Sequence, residues 1–322
     1  MHISSTISTD KGRAGGEAQR WRIALIGYGE VGRILAEDLR ASGHAVSAYD
    51  LKLSQADAAP VLARHAQEHG VRLATSHAHA VVGADLTICA VTASQTVAAA
   101  EATCAGLEQR SFFLDLNSAS PGAKAQAADA VNAAGGRYVE CAVMTSLPPY
   151  RIRVPLLLGG PDASALEIPL KTMGFDARVA SERLGVASAT KMCRSVMIKG
   201  LEAMVVESFT AARHYGVEDA VLASLKETFP GIDWEKQATY FFQRVIEHGR
   251  RRAEEMRESA QTVREAGLSP WSAQGTAERQ AWMAELGDAG VFGQRGAPGF
   301  ARSADWRVEA DRVLARKAQE DH

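Results

Sequence analysis

The stretch IALIGYGEVGRILAEDL, Ile23 to Leu39, settles how the first half of this 322-residue chain folds. It opens as a short apolar run suited to a strand buried on both faces, breaks on glycines, and resumes as an amphipathic helix. Gly27, Gly29 and Gly32 stand in a G-x-G-x-x-G pattern. Between a strand and a helix, that pattern lets the backbone approach a pyrophosphate, whose charge then faces amide groups and the positive end of the helix dipole. Gly27 allows the tight turn, Gly29 makes room for the phosphates, and Gly32 lets the helix pack closely on the strand. Tyr28, Glu30 and Val31 complete the expected cofactor-binding loop. The second strand, HAVSAYD, ends on Asp50, 23 residues beyond Gly27. A carboxylate there can accept both ribose hydroxyls of an adenosine and would repel a 2′-phosphate, which favours NAD. Lys52, two residues on, keeps NADP possible.

The same rhythm continues outward from this stretch. An Ala-rich helix near Ala58 to His69 is followed by VRLAT, then by ADLTICAVT, a helix from about Gln95 to Gly106, SFFLDLN, a helix after Pro121, and RYVECAVM. VPLLLGG and DARVA extend the sheet. Val91, Thr92 and Asn117 close two of these strands at the end where a doubly wound sheet opens its crevice, and are placed with the cofactor. Beyond Gly185 the strand signal stops and apolar residues recur at helical spacing. One long helix leads into further helices at about Glu218 to Thr228, Trp234 to Ala266, Ser272 to Gly287 and Asp305 to Gln319. The expected fold class is an α/β Rossmann-type N-terminal domain with a mostly parallel sheet, followed by an all-α C-terminal domain. Residues 1–20, polar and rich in Gly and Ser, read as a mobile tail, 21–183 as an NAD(P)-binding domain, and 184–322 as a helical substrate and dimerisation domain.

Composition narrows the partners. With 46% hydrophobic residues the chain can bury a large core, and a formal net charge of -2 offers no field to gather nucleic acid or a membrane surface. No apolar run reaches the roughly 18 residues of a transmembrane helix. Cys89, Cys104, Cys141 and Cys193 are scattered, without a C-x-x-C pair, as fits a reducing cytoplasm. A small molecule is the expected partner.

The chemistry points to Lys191 in LGVASATKMCRSVMIKG. It lies one turn into the long helix where the two halves join, and Ser195 follows at i+4 on the same face. Moving a hydride between an alcohol and NAD requires a group that takes or returns the hydroxyl proton. A lysine serves if burial lowers its pKa toward neutrality, and Met192, Val196 and Met197 make this region apolar. Lys199 on the same helix carries no comparable signal and acts as the control.

From Arg22 to about Leu314 the chain resembles the β-hydroxyacid dehydrogenases, relatives of 6-phosphogluconate dehydrogenase and 3-hydroxyisobutyrate dehydrogenase. That family opens its interdomain helix with G-x-G-x-x-x-K-x-x-x-N. Here the positions read Gly185, Ala187, Lys191 and Ser195. The resemblance implies that Lys191 is the catalytic acid or base and that Ser195 hydrogen-bonds substrate. The family's D-x-S-T-x-S-P segment resembles DLNSASP, Asp115 to Pro121, which implies that Asn117 meets the cofactor and Ser118 the substrate. Ser120 before Pro121 reads as a helix cap. The D-A-P-V-S-G-G segment corresponds to ECAVMTS, where Thr145 and Ser146 replace the glycines and would bind a carboxylate by hydroxyl as well as amide. SLPPYRIRV and EHGRRRAEEM resemble a branch with its own phosphogluconate-dehydrogenase-like C-terminal domain. They imply His248 near the active site, while Arg250, Arg251 and Arg252 read equally as anion binders or as an ion-paired face with Glu254 and Glu255.

The expected activity is hydride transfer between NAD, with NADP possible, and a small β-hydroxy acid or related anionic polyol acid, in a homodimer. Two alternatives share the architecture: an imine reductase-like NADPH enzyme, and a non-catalytic NAD(H) sensor. His65, His69, His77 and His79 show no two-His-plus-carboxylate grouping, so no metal is expected. Cys141 and Cys193 are assigned to packing, as are Trp271 and Trp282.

Overall fold

The computed structural model describes residues 20–320, so the tail expected over residues 1–20 lies outside the described residues apart from Arg20. Eight strands form one sheet: β1 Arg22–Ile26, β2 Ala45–Tyr49, β3 Arg72–Leu73, β4 Leu86–Cys89, β5 Phe112–Asp115, β6 Arg137–Val143, β7 Leu156–Gly159 and β8 Ala177–Ser181. Their order is β3-β2-β1-β4-β5-β6-β7-β8. All neighbours run parallel except β6 and β7. Chain order reverses across the β1–β4 pair, and that switch point opens a crevice at the carboxyl ends of the strands. Gly27, Val91 and Asn117 all follow closely on strands there.

Helices α1 Glu30–Ala41, α2 Ala59–His69, α3 His77–Val81, α4 Thr96–Thr103, α5 Pro121–Ala133, α6 Leu147–Tyr150 and α7 Ala163–Thr172 connect the strands. The sequence reading lacks α3 and α7. The first is five residues long and starts on a Ser76 side-chain cap, too short to establish a helical period. The second holds Pro169 in its interior, which reads as a break. The antiparallel entry of β7 follows from LPPYRIRV, which folds as α6 and a 3-10 turn over Arg151–Arg153, turning the chain back on itself.

Beyond the sheet come α8 Val186–Tyr215, α9 Glu218–Thr228, α10 Trp234–Glu265, α11 Trp271–Asp288 and α12 Trp306–Glu320. Their apolar faces meet in a separate core that includes Phe209, Trp234, Phe242, Ile246, Met283 and Trp306. Burying each such side chain contributes about 2 kcal/mol, which is why helices without strong caps hold together here. Trp282 packs against this core, but Trp271, assigned to packing from its sequence setting, is 82% exposed at the start of α11. Trp234 and Trp306, which also open their helices, are buried, so what separates Trp271 from them is the side of its helix on which it falls. Among the described residues no helix is long and apolar enough to cross a membrane.

The sheet and the helical region are tied at the start of α5. Glu258 of α10 accepts from the backbone N–H of Ser120 (2.8 Å) and Glu265 from that of Gly122 (3.0 Å). Two carboxylates thus meet the positive end of α5. Ser120 also caps that helix, its hydroxyl accepting from Ala123 N–H at 3.3 Å.

Candidate active site

The glycine turn leaves an open cradle. Gly27 adopts φ +94°, and a Cβ there would lie 2.3 Å from the carbonyl oxygen of Ala90. One at Gly32 would lie 2.1 Å from the carbonyl oxygen of Gly27, so α1 and β1 approach as closely as backbones can. A Cβ at Gly29 would meet nothing within 4 Å. Space in front of the first turn of α1, with its unpaired N–H groups, fits the pyrophosphate of a dinucleotide. Asp50 ties the cradle to β2, one carboxylate oxygen accepting from Tyr28 N–H (2.7 Å) and the other from Lys52 N–H (2.9 Å). A carboxylate has room for further donors, so these bonds leave capacity for a ribose hydroxyl. Tyr28 contributes backbone only: its fully buried ring turns beneath the loop, where the hydroxyl meets His65 Nδ1 at 2.8 Å. Burial pushes this phenol up to about 12, so it stays a neutral hydroxyl. Glu30 is exposed at the first turn of α1 and Val31 is half-buried.

Two turns after parallel strands are locked together beside the cradle. Val91 N–H donates to Asn117 Oδ1 (2.7 Å), and Asn117 N–H donates to Asp115 Oδ1 (2.8 Å). Thr92 is exposed next to Val91. Asp115 is wholly buried, which would be costly for an unpaired carboxylate. Lys124 pairs with it at 2.9 Å and the Tyr138 hydroxyl donates to it at 2.6 Å. This buried group fixes the DLNS turn, and Ser118 stands at its edge.

Lys191 reaches Ser118: its Nζ lies 2.5 Å from Ser118 Oγ. Burial pulls the Lys191 ammonium down to about 8, against the opposing pull of Glu255 and with further lowering by Lys199 and Lys124. The helix carrying Lys191 is anchored by a residue that sequence reading missed. Glu140 of β6, wholly buried, accepts from the N–H groups of Gly185 (2.7 Å), Ala187 (3.1 Å) and Ser188 (3.3 Å), and from the Ser188 hydroxyl (2.7 Å). Its carboxylate fills the otherwise unpaired first turn of α8. Gly159 makes room for it, since a Cβ there would lie 2.3 Å from Glu140 Oε1.

Farther along α8 the sequence reading needs correcting. Lys199, taken as a control, is buried, donates to Ser195 Oγ at 3.1 Å and pairs with Glu255 at 2.9 Å. Burial lowers its pKa, and the Ser195 hydroxyl is already engaged by its ammonium. Burial alone would raise Glu255, but Lys199, Arg251 and Lys191 hold it down at about 2. It is therefore a fixed negative charge beside two lysines. The three arginines of EHGRRRAEEM are all ion-paired, Arg250 with Asp288, Arg251 with Glu255 and Arg252 with buried Glu202. His248 is half-buried, and burial, followed by Arg244, lowers its pKa. Thr145 and Ser146 are exposed between β6 and α6, with Met144 partly buried beside them. Cys141 is inert, burial pushing its thiol up to about 12.

His65 and His69 lie one turn apart on α2, and Glu37 of α1 joins them. The two-His-plus-carboxylate grouping that the histidines lack in sequence is thus assembled in space, because its carboxylate comes from another helix. The signal available was the i,i+4 spacing of HAQEH.

Comparison with known proteins places the chain in a family by its sequence and fold. Residues 22–163 match the NAD binding domain of 6-phosphogluconate dehydrogenase, and residues 212–283 match a domain of unknown function (DUF1932). A conserved hypothetical protein from Sinorhizobium meliloti is 34% identical and superimposes with a TM-score of 0.73, over 93% of this chain and 97% of its own. The 3-hydroxyisobutyrate dehydrogenase of Pseudomonas aeruginosa is 24% identical over 219 residues, covering 66% of this chain and 71% of that enzyme. The Mycobacterium tuberculosis 3-hydroxyisobutyrate dehydrogenase, solved with L-serine, shares the fold with a TM-score of 0.67 at 17% identity, over 92% of this chain and 99% of its own. The chain belongs to the 3-hydroxyisobutyrate dehydrogenase-like family that carries the NAD-binding domain of 6-phosphogluconate dehydrogenase, with a DUF1932 helical C-terminal region.

Proposed function

We propose that this protein is an NAD(P)-dependent dehydrogenase of a small β-hydroxy acid or related anionic polyol acid, with Lys191 as general acid and base. The observation that carries the proposal is the Lys191 amine, lowered to about 8 and 2.5 Å from the Ser118 hydroxyl, beside a glycine cradle that fits a dinucleotide. When bound, the nicotinamide supplies the hydride acceptor or donor. Lys191 takes the substrate hydroxyl proton as a neutral amine, and returns it as an ammonium in the reverse direction. Ser118, Thr145 and Ser146 orient the substrate carboxylate, Ser195 positions Lys199 behind it, and His248 flanks the cleft. Gly27 to Gly32, Asp50, Val91, Thr92 and Asn117 hold the cofactor. The division into a cofactor-binding domain over 21–183 and a helical domain over 184–322 is part of this reading, as is a reducing, cytoplasmic setting. The mycobacterial relative's ligand, L-serine, is itself a β-hydroxy acid.

The test is NADH and NADPH formation by purified protein across a panel of β-hydroxy and sugar acids. Turnover on one of them supports the proposal. NADPH-dependent reduction of cyclic imines without hydroxy-acid oxidation would replace it with the imine reductase reading, and tight cofactor binding with no turnover would replace it with a sensor.

Asp50 sets the cofactor preference in this reading. Asp50→Asn removes the charge that repels a 2′-phosphate, and the ratio of NADPH to NADH affinity should rise about tenfold, equivalent to about 1.4 kcal/mol. Fluorescence titration of both cofactors checks this, and an unchanged ratio would remove Asp50 from the ribose site.

The protein should be a homodimer through α8. That helix exposes Met197 (72%), Met204 (62%) and Tyr215 (77%) along one face, with Ala211 between them. The spacing is that of a helix seam seeking a second helix, and a second copy supplies an identical one. Light scattering should give twice the chain mass; a monomer at working concentration would end this claim.

A further inference from the structure

We propose that Glu37, His65 and His69 form a binding site for one zinc-class divalent metal ion, on the face of the sheet beneath the glycine loop and apart from the cleft. Donor atoms of the three residues already lie within 4.8 Å of one another. His65 and His69 share one face of α2 at i,i+4, their ring centroids 4.5 Å apart, and Glu37 faces them from α1. Two imidazoles and a carboxylate are the donor set of open zinc sites, which leave a fourth position for water.

The spacing is close to that of a loaded site. His65 Nε2 lies 2.9 Å from Glu37 Oε1. Two ligands about 2.0–2.1 Å from a tetrahedral ion stand about 3.3 Å apart, so this pair needs to open by only about 0.5 Å. His69 is partly exposed at the end of α2 and is not part of the core, so it can swing in without disturbing it.

The surroundings are those that support a ligating histidine. In zinc sites the second ring nitrogen of a ligand histidine is hydrogen-bonded, which fixes tautomer and orientation. Here His65 Nδ1 meets the Tyr28 hydroxyl at 2.8 Å. Without metal, Nε2–H donates to Glu37 and Nδ1 accepts the Tyr28 O–H. With metal on Nε2, the ring proton resides on Nδ1 and donates to the Tyr28 oxygen, a hydroxyl able to play either part. Glu37 is held from behind as well: Arg151 contacts its Oε2 at 2.7 Å, leaving Oε1 toward the histidines. The Arg151 charge is matched by Asp38, also at 2.7 Å, so the cluster of Glu37, Asp38 and Arg151 stays net negative and can accept a dication.

The test uses the full chain stripped with a chelator and titrated with zinc chloride against a chromophoric chelator, and separately with cobalt chloride followed by visible absorption. Wild type should bind one zinc per chain and show the absorption of a four- or five-coordinate cobalt site. His69→Ala, at a partly exposed position outside the core where folding should stay intact, should weaken zinc binding at least tenfold and abolish the cobalt bands. His79→Ala and Cys193→Ser, which remove exposed donors elsewhere, should bind as wild type does. The proposal is overturned if wild type binds no stoichiometric zinc, or if His69→Ala binds as tightly as wild type, which would mark an adventitious ion only.

Discussion

Lys191→Met should lower turnover by 10²- to 10⁴-fold, leave cofactor affinity within about twofold, and make the protein more stable near pH 7. Loss of activity follows from removing the group that carries the proton. The gain in stability follows from the same burial that suits Lys191 to its task. An ordinary lysine of the unfolded chain holds its proton to 10.5, whereas this one releases it at about 8. Between those values the unfolded chain binds the extra proton, so stability rises with pH there, and below about 8 the folded protein carries the full cost of a desolvated ammonium. Methionine removes a cost on the order of 3 kcal/mol. The advantage of the variant should therefore be complete at pH 7 and fade as pH rises from 8 to 10.5. Urea unfolding at pH 7 and pH 10 measures both ends. A variant that loses activity and stability together at pH 7 would show that Lys191 is a structural residue.

Glu140→Ala should destabilise the protein by about 3–5 kcal/mol and reduce turnover in the fraction that remains folded. It strips three backbone N–H groups and one hydroxyl of a charged acceptor in a site with no solvent exposure. Each orphaned buried donor costs about 1–3 kcal/mol, reduced where water enters the space left behind. Those donors begin α8, so its start should loosen and Lys191, one turn later, should lose its register with Ser118. Glu140→Gln, which keeps the volume and one good acceptor, should fall between the two. Thermal unfolding that showed Glu140→Ala equal to wild type would mean that α8 is held by its other contacts alone.

Much of this architecture was legible because it depends on local backbone demands. A turn that needs φ +94° at Gly27 and allows no Cβ at Gly32 leaves its mark in residue type. Strands buried on both faces and helices with one apolar face leave theirs in periodicity. Lys191 stood out in the sequence because a lysine amid Met192 and Val196 is out of place, and the structure brings its amine to Ser118. What stayed hidden was pairing over distance. Glu140 and Ser188 are 48 residues apart, and nothing near Glu140 marks it as the anchor of a helix. Lys199 looked ordinary because its partner Glu255 lies on α10, and the Glu37 grouping escaped because its carboxylate lies on α1. Trp271 was misjudged for the opposite reason: an aromatic residue near a proline suggests a core, but only the helix's rotation decides which residues reach it.

The measurement that tests the central claim most directly is the pH dependence of turnover in both directions on whichever hydroxy acid proves active. Oxidation requires neutral Lys191 and should rise with pH to a plateau above about 8, whereas reduction requires the ammonium and should fall through the same range. Mirror-image profiles crossing near pH 8 are what the account predicts. Profiles that are flat, or that move in the same direction for both reactions, would contradict a proton carried by Lys191.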